Sequence, residues 1–228
     1  MASTSRTRWQ AVAVAIAPAV MLAGFAYHPH IGDPLDTDFL ARLGAAVAAD
    51  PTRWAVAHYL VAVGGGLMML ALLAVRSYLR EAGEDRHSAP AVPFLIMGST
   101  LYALLPAMEF APLAAMKSGA DAAAAQGALL RWFAPTLLTS AVVFGVGAVL
   151  LSLGIAKTRL PSPAVTRLVA GALVVMAAAR FVPLSVVQFY VQGVAGVVAL
   201  WPLAYAMWTQ PEASLQGTVI QGTGSRGA

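Results

Sequence analysis

Six apolar runs lie between Trp9 and Trp208, each near the roughly 20 residues needed to cross a hydrocarbon core about 30 Å thick. A segment in lipid has to satisfy its backbone hydrogen bonds internally, so runs of this length predict membrane-spanning helices. The composition agrees. The chain is 59% hydrophobic and 11% charged, whereas soluble domains average roughly 45–50% apolar and about 25% charged residues. The expected fold is all-α, an integral membrane six-helix bundle built from helical hairpins. Its partner is the lipid bilayer.

The expected spans are 9–27, 54–75, 91–116, 132–155, 165–182 and 186–208, which together make one transmembrane domain over 1–208. The polar, glycine-containing residues 209–228 read as a disordered cytoplasmic tail. The first run is longer than a signal-peptide core, which favours a retained helix. The competing reading is a cleaved signal peptide, because Gly24 and Ala26 offer a small-x-small site. Between the first two spans, Pro29, Gly32, Pro34 and Pro51 punctuate a loop that also carries Asp33, Asp36, Asp38 and Asp50. A short amphipathic helix is expected within it from Phe39 to Ala48. Pro93, Pro106 and Pro112 predict kinks in the third span.

With no cysteine, the chain has no disulfide, thiolate nucleophile or thiolate metal ligand. Its net charge of +4 does not point to nucleic acid, because the basic residues sit at helix ends instead of in one patch. They set topology instead. An internal amino terminus places Arg6, Arg8, Arg76, Arg80, Arg86, Lys157, Arg159, Arg167 and Arg226 inside. Arg42, Arg53, Lys117, Arg131 and Arg180 are then outside. This bias favours a bacterial plasma membrane protein with both termini cytoplasmic. Trp9, Trp54, Trp132, Trp201 and Trp208 fall near span ends, where aromatic anchors belong.

Glu109 is the most informative polar residue. It lies eight positions before Lys117, inside the apolar band, where an unpaired acid costs on the order of 3 kcal/mol. Such an acid serves function, pairs with Arg131 or Arg180, or caps an interface if the prolines end the helix early. His28, His30 and His58 gather at the same membrane face. They could bind haem or a metal with help from nearby aspartates, form proton-linked contacts, or simply be solvated. Together, Glu109, His58, Arg131, Arg180, Gln188 and Gln192 would line an outward-facing polar pocket. The bland alternative is snorkelling arginines and glutamines bonded across helices. Gly64-Gly65-Gly66, Ala141 with Gly145, and Gly193 with Gly196 predict close helix packing.

The chain has no G-x-S-x-G elbow, H-E-x-x-H pair or Walker loop. The stretch from Asp50 to Leu60, DPTRWAVAHYL, resembles a segment of small actinobacterial membrane proteins of the DUF4386 kind. That resemblance implies a multi-helix membrane fold and carries over no catalytic residue. Three functions remain open at this point. The leading one is binding or transport of a small solute through the outer pocket. The others are a haem- or metal-binding enzyme or electron carrier, and a non-catalytic subunit that assembles with a membrane partner or with its own copies.

Overall fold

Helix starts and stops follow local chemistry in the computed structural model, which describes residues 2–158, 162–182, 184, 185 and 187–209, with side chains from Thr7 onward. The first helix, α1 (Ala2–Tyr27), ends just before Pro29, and α2 (Phe39–Ala49) lies within the connection to α3 (Pro51–Glu81). Asp50 caps α3: its side chain accepts from the Arg53 N–H, and Pro51 occupies the first turn, where a missing N–H costs nothing. At the other end Gly83, with φ 82°, turns the chain left-handed while the Glu84 N–H donates to the Leu79 carbonyl, a Schellman closure.

The third span is not one helix. It divides into α4 (Ser88–Met108) and α5 (Phe110–Lys117), with Glu109 at the joint. Pro112 cannot donate to the Met108 carbonyl, so the helical ladder is interrupted one turn before it. Next, α6 (Ala122–Thr158) begins well before the expected 132, because Asp121 accepts from the Ala123 and Ala124 N–H groups and an alanine run follows. It is 37 residues long, about 55 Å at 1.5 Å per residue, more than a bilayer core requires. Ser162 caps α7 (Pro163–Ala178); a tight turn, Ala179–Phe181, and a wide turn, Val187–Val191, then lead into α8 (Gln192–Thr209). The tail expected from 209 onward lies outside the described residues, apart from Thr209, which closes α8.

Six segments are long and apolar enough to cross a membrane, from Thr7–Tyr27 to Val187–Thr209. They close into a ring: α1 packs on α3, α3 on α4, α4 on α6, α6 on α7, α7 on α8, and α8 returns to α1. Their shared core contains Met68, Leu72, Leu95, Tyr102, Phe144, Leu151, Met176 and Leu203. Lipid is as apolar as these side chains, so close approach of backbones has to hold the ring together. Gly24 and Gly64 bring α1 and α3 together, and Gly98 and Gly147 do the same for α4 and α6. A second, smaller core of Ile31, Leu43, Val47, Trp54 and Leu113 fits α2 and α5 over one end of the ring. This chain is a multi-pass membrane protein.

At the opposite end, Glu84 begins the turn into α4. Its carboxylate accepts from the His87 N–H at 2.8 Å, the Ser88 N–H at 3.1 Å and His87 Nδ1 at 3.0 Å. Gly154 of α6 lets the carboxylate approach, since a methyl group there would meet Glu84 Oε2 at 2.7 Å. Burial pushes the carboxyl up, but the bonds from His87 and Ser88 outweigh it and hold Glu84 below the usual carboxylate range. The stabilisation is therefore complete above that range and drains away as pH falls through the depressed value. Glu84→Gln should cost about 1–2 kcal/mol near neutrality. Melting curves of the two proteins should converge as pH is lowered; a constant gap would show that the charge is irrelevant.

Candidate metal centre

Three groups from separate elements meet beneath the small second core. His28 follows the last turn of α1, where its N–H still donates to the Phe25 carbonyl and Pro29 ends the helix. His58 lies on α3, one turn after Trp54, and Glu109 occupies the α4–α5 joint. His28 and His58 are 6% and 1% exposed, while the Glu109 side chain keeps 17%, which makes the carboxylate the most accessible of the three groups.

The hydrogen bonds orient both rings the same way. His28 Nδ1 lies 2.7 Å from the Pro29 carbonyl and His58 Nδ1 lies 2.6 Å from the Trp54 carbonyl. A carbonyl only accepts, so each Nδ1 carries a proton and each ring turns its Nε2 inward. These two Nε2 atoms are 3.2 Å apart, and His58 Nε2 is 2.6 Å from Glu109 Oε2. Three potential ligand atoms thus converge within 4.8 Å of one another. A proton on His58 Nε2 makes the 2.6 Å contact with Glu109 an ion pair, and a metal ion could take that proton's place. Metal-bound histidines typically donate their second nitrogen to a carbonyl in this way.

The dimensions suit a metal. Ligands about 2.0–2.1 Å from a tetrahedral ion stand roughly 3.4 Å apart, and the imidazole pair is already at 3.2 Å. The carboxylate sits closer to His58 than that, so rotation about its side-chain bonds would share it between the rings. Aromatic groups surround the site: Trp54 lies 4.4 Å from His58 between ring centres, Phe189 lies 5.0 Å from His28, and Phe110 lies 6.3 Å from His58. Trp54 also donates its indole N–H to the Glu109 carbonyl at 2.8 Å, tying the helix break to α3. Burial pushes the His28 imidazole down to about 4, against the raising field of Glu109, so it is a neutral donor near pH 7.

Of the residues singled out in the sequence, His58 and Glu109 are brought together, with His28 beside them. His30 is exposed and faces the Tyr190 hydroxyl at 3.3 Å. Asp36 and Asp38 pair with Arg42, away from the centre. Arg131 is exposed against its own neighbour, Trp132, and takes no part. Arg180 and Gln192 are buried together elsewhere in the core, and Gln188 is buried on the wide turn that leads into α8. Trp54, read in the sequence as an interfacial anchor, is fully buried. Its position one turn before His58 was the available signal for its bond to the ring. No family model matches the chain, and no similar curated protein or solved structure was found.

Proposed function

We propose that this protein binds one divalent transition-metal ion of the zinc type through His28 Nε2, His58 Nε2 and the Glu109 carboxylate. The single observation that carries this reading is the convergence of two inward-turned imidazole nitrogens and a carboxylate in a largely buried site. Two imidazoles and one carboxylate are a donor set that borderline ions favour over magnesium or calcium. Three protein ligands leave a fourth position, on the side where Glu109 is exposed, for water or a second molecule. The small solute expected for the outer pocket is, in this reading, the ion itself. A porphyrin plane between the rings would require them to move apart from 3.2 Å, which favours a bare ion over haem.

Protein purified in detergent and stripped with a chelator should take up one equivalent of Co²⁺ and develop the visible absorption of a tetrahedral or five-coordinate site. Zinc added afterwards should bleach it. Folded protein that remains colourless in Co²⁺ and retains no zinc would overturn the proposal.

The basic residues support a bacterial plasma membrane with both termini inside, which puts the metal centre at the outer face. The likeness of Asp50–Leu60 to actinobacterial membrane proteins of the DUF4386 kind fits that setting. A reporter fused after Ala228 should then be active in the cytoplasm and one inserted near Gly119 outside it. The reverse pattern would turn the centre toward the cytoplasm.

A further inference from the structure

A second polar group in the core has no role in the metal centre. Arg180, on the tight turn that follows α7, is 3% exposed, and its guanidinium carbon lies 3.7 Å from the ring centre of Phe144 and 4.3 Å from that of Tyr102. Aromatic faces attract the flat sides of a guanidinium and leave its in-plane N–H groups for other partners. Here Nε and Nη1 have no hydrogen-bond partner among the described residues, and neither does the nearby Gln192 Oε1. None of the ion pairs among those residues includes Arg180. A full positive charge therefore stands inside the bundle without a carboxylate, which membrane-embedded arginines rarely tolerate.

The same guanidinium lines a small cavity of about 10 Å³, shared with Met21, Met68, Met176, Gln192 and Gly193. That is about the volume a single water needs, so a larger occupant has to displace side chains of the wall. Water would satisfy an N–H but would leave the charge uncompensated, whereas a monatomic anion does both. The three methionine side chains are flexible enough to yield to an occupant slightly larger than water. We propose that this cavity is a halide-sized anion site, with chloride the occupant and Arg180 its principal ligand. The proposal stands apart from the metal centre, since its residues and its ion are different.

Protein prepared in sodium gluconate should melt several degrees higher when sodium chloride or bromide replaces the gluconate at constant ionic strength. Arg180→Met should lose that response and Arg180→Lys should retain part of it. Crystals grown in bromide should show an anomalous peak beside Arg180 Nε and Nη1. Should Arg180→Met fail to fold, the bromide peak in the unaltered protein decides the matter alone. A cavity without a peak, or a halide response equal in the unaltered protein and Arg180→Met, would overturn the site in favour of water. Cobalt uptake is expected to be indifferent to the halide, so either proposal can fail without the other.

Discussion

His58→Ala is expected to abolish measurable Co²⁺ or Zn²⁺ binding, a larger loss than the roughly 10–100-fold that follows removal of a group merely supporting a ligand. His58 is central because its Nε2 is the atom nearest both other donors, 3.2 Å from His28 and 2.6 Å from Glu109. Without it, one imidazole and one carboxylate remain, two ligands where a zinc-type site takes at least three from the protein. Trp54→Phe should cost less, within that 10–100-fold range, because it removes only the indole N–H that fixes the Glu109 carbonyl. Glu109→Gln keeps the shape but supplies a neutral oxygen, so metal affinity should fall while the fold persists. His87 lies in the turn at the opposite end, bonded to Glu84, and His87→Ala should bind metal normally. Isothermal titration with Co²⁺ on proteins whose melting has been checked would separate these cases. Unchanged affinity in a folded His58→Ala protein, or equal losses in all four variants, would remove the metal centre from consideration.

How much of this could be read in the sequence differs between the fold and the site. Six helices follow from the length of the apolar runs, because hydrocarbon leaves a chain no other way to satisfy its backbone in those segments. The site needed information that periodicity does not carry. Glu109 could be recognised from its cost in lipid, yet its partner could not. Arg131 and Arg180 offered charge, but Arg131 stays at the surface and Arg180 turns to aromatic faces. The partner is His58, selected by the ring order that places α3 beside both α1 and α4. His28 and His30 look equivalent on paper. Pro29 separates them, and the end of α1 sends one inward and leaves the other facing Tyr190. Glycine spacing was a partial guide: Gly64 and Gly65 are at helix contacts, whereas Gly66 touches nothing and Gly98, the tightest contact, stood in no motif.

Gly98 therefore provides the sharpest test of how the bundle is held together. A methyl group placed on it would lie 2.6 Å from the Phe144 backbone nitrogen and 2.7 Å from the Phe144 Cα. Backbone atoms cannot rotate aside as a side-chain tip can, so Gly98→Ala forces α4 and α6 apart. Overpacking in a filled core costs about 1–3 kcal/mol even where side chains can adjust, and about 3 kcal/mol or more is expected where they cannot. Gly66 is the matching control, with nothing within 4 Å of an added methyl group. There Gly66→Ala should be neutral or stabilising by up to about 1 kcal/mol, because alanine loses less backbone freedom than glycine in a helix. Thermal and denaturant unfolding in one detergent should thus move in opposite directions for two changes of identical chemistry. The Gly98 effect should also reach the core beyond α4, because Phe144 is one of the two rings against which Arg180 stacks. If Gly98→Ala melts like the parent, α4 and α6 do not meet at this point, and the ring of helices is looser there than its backbone contacts imply.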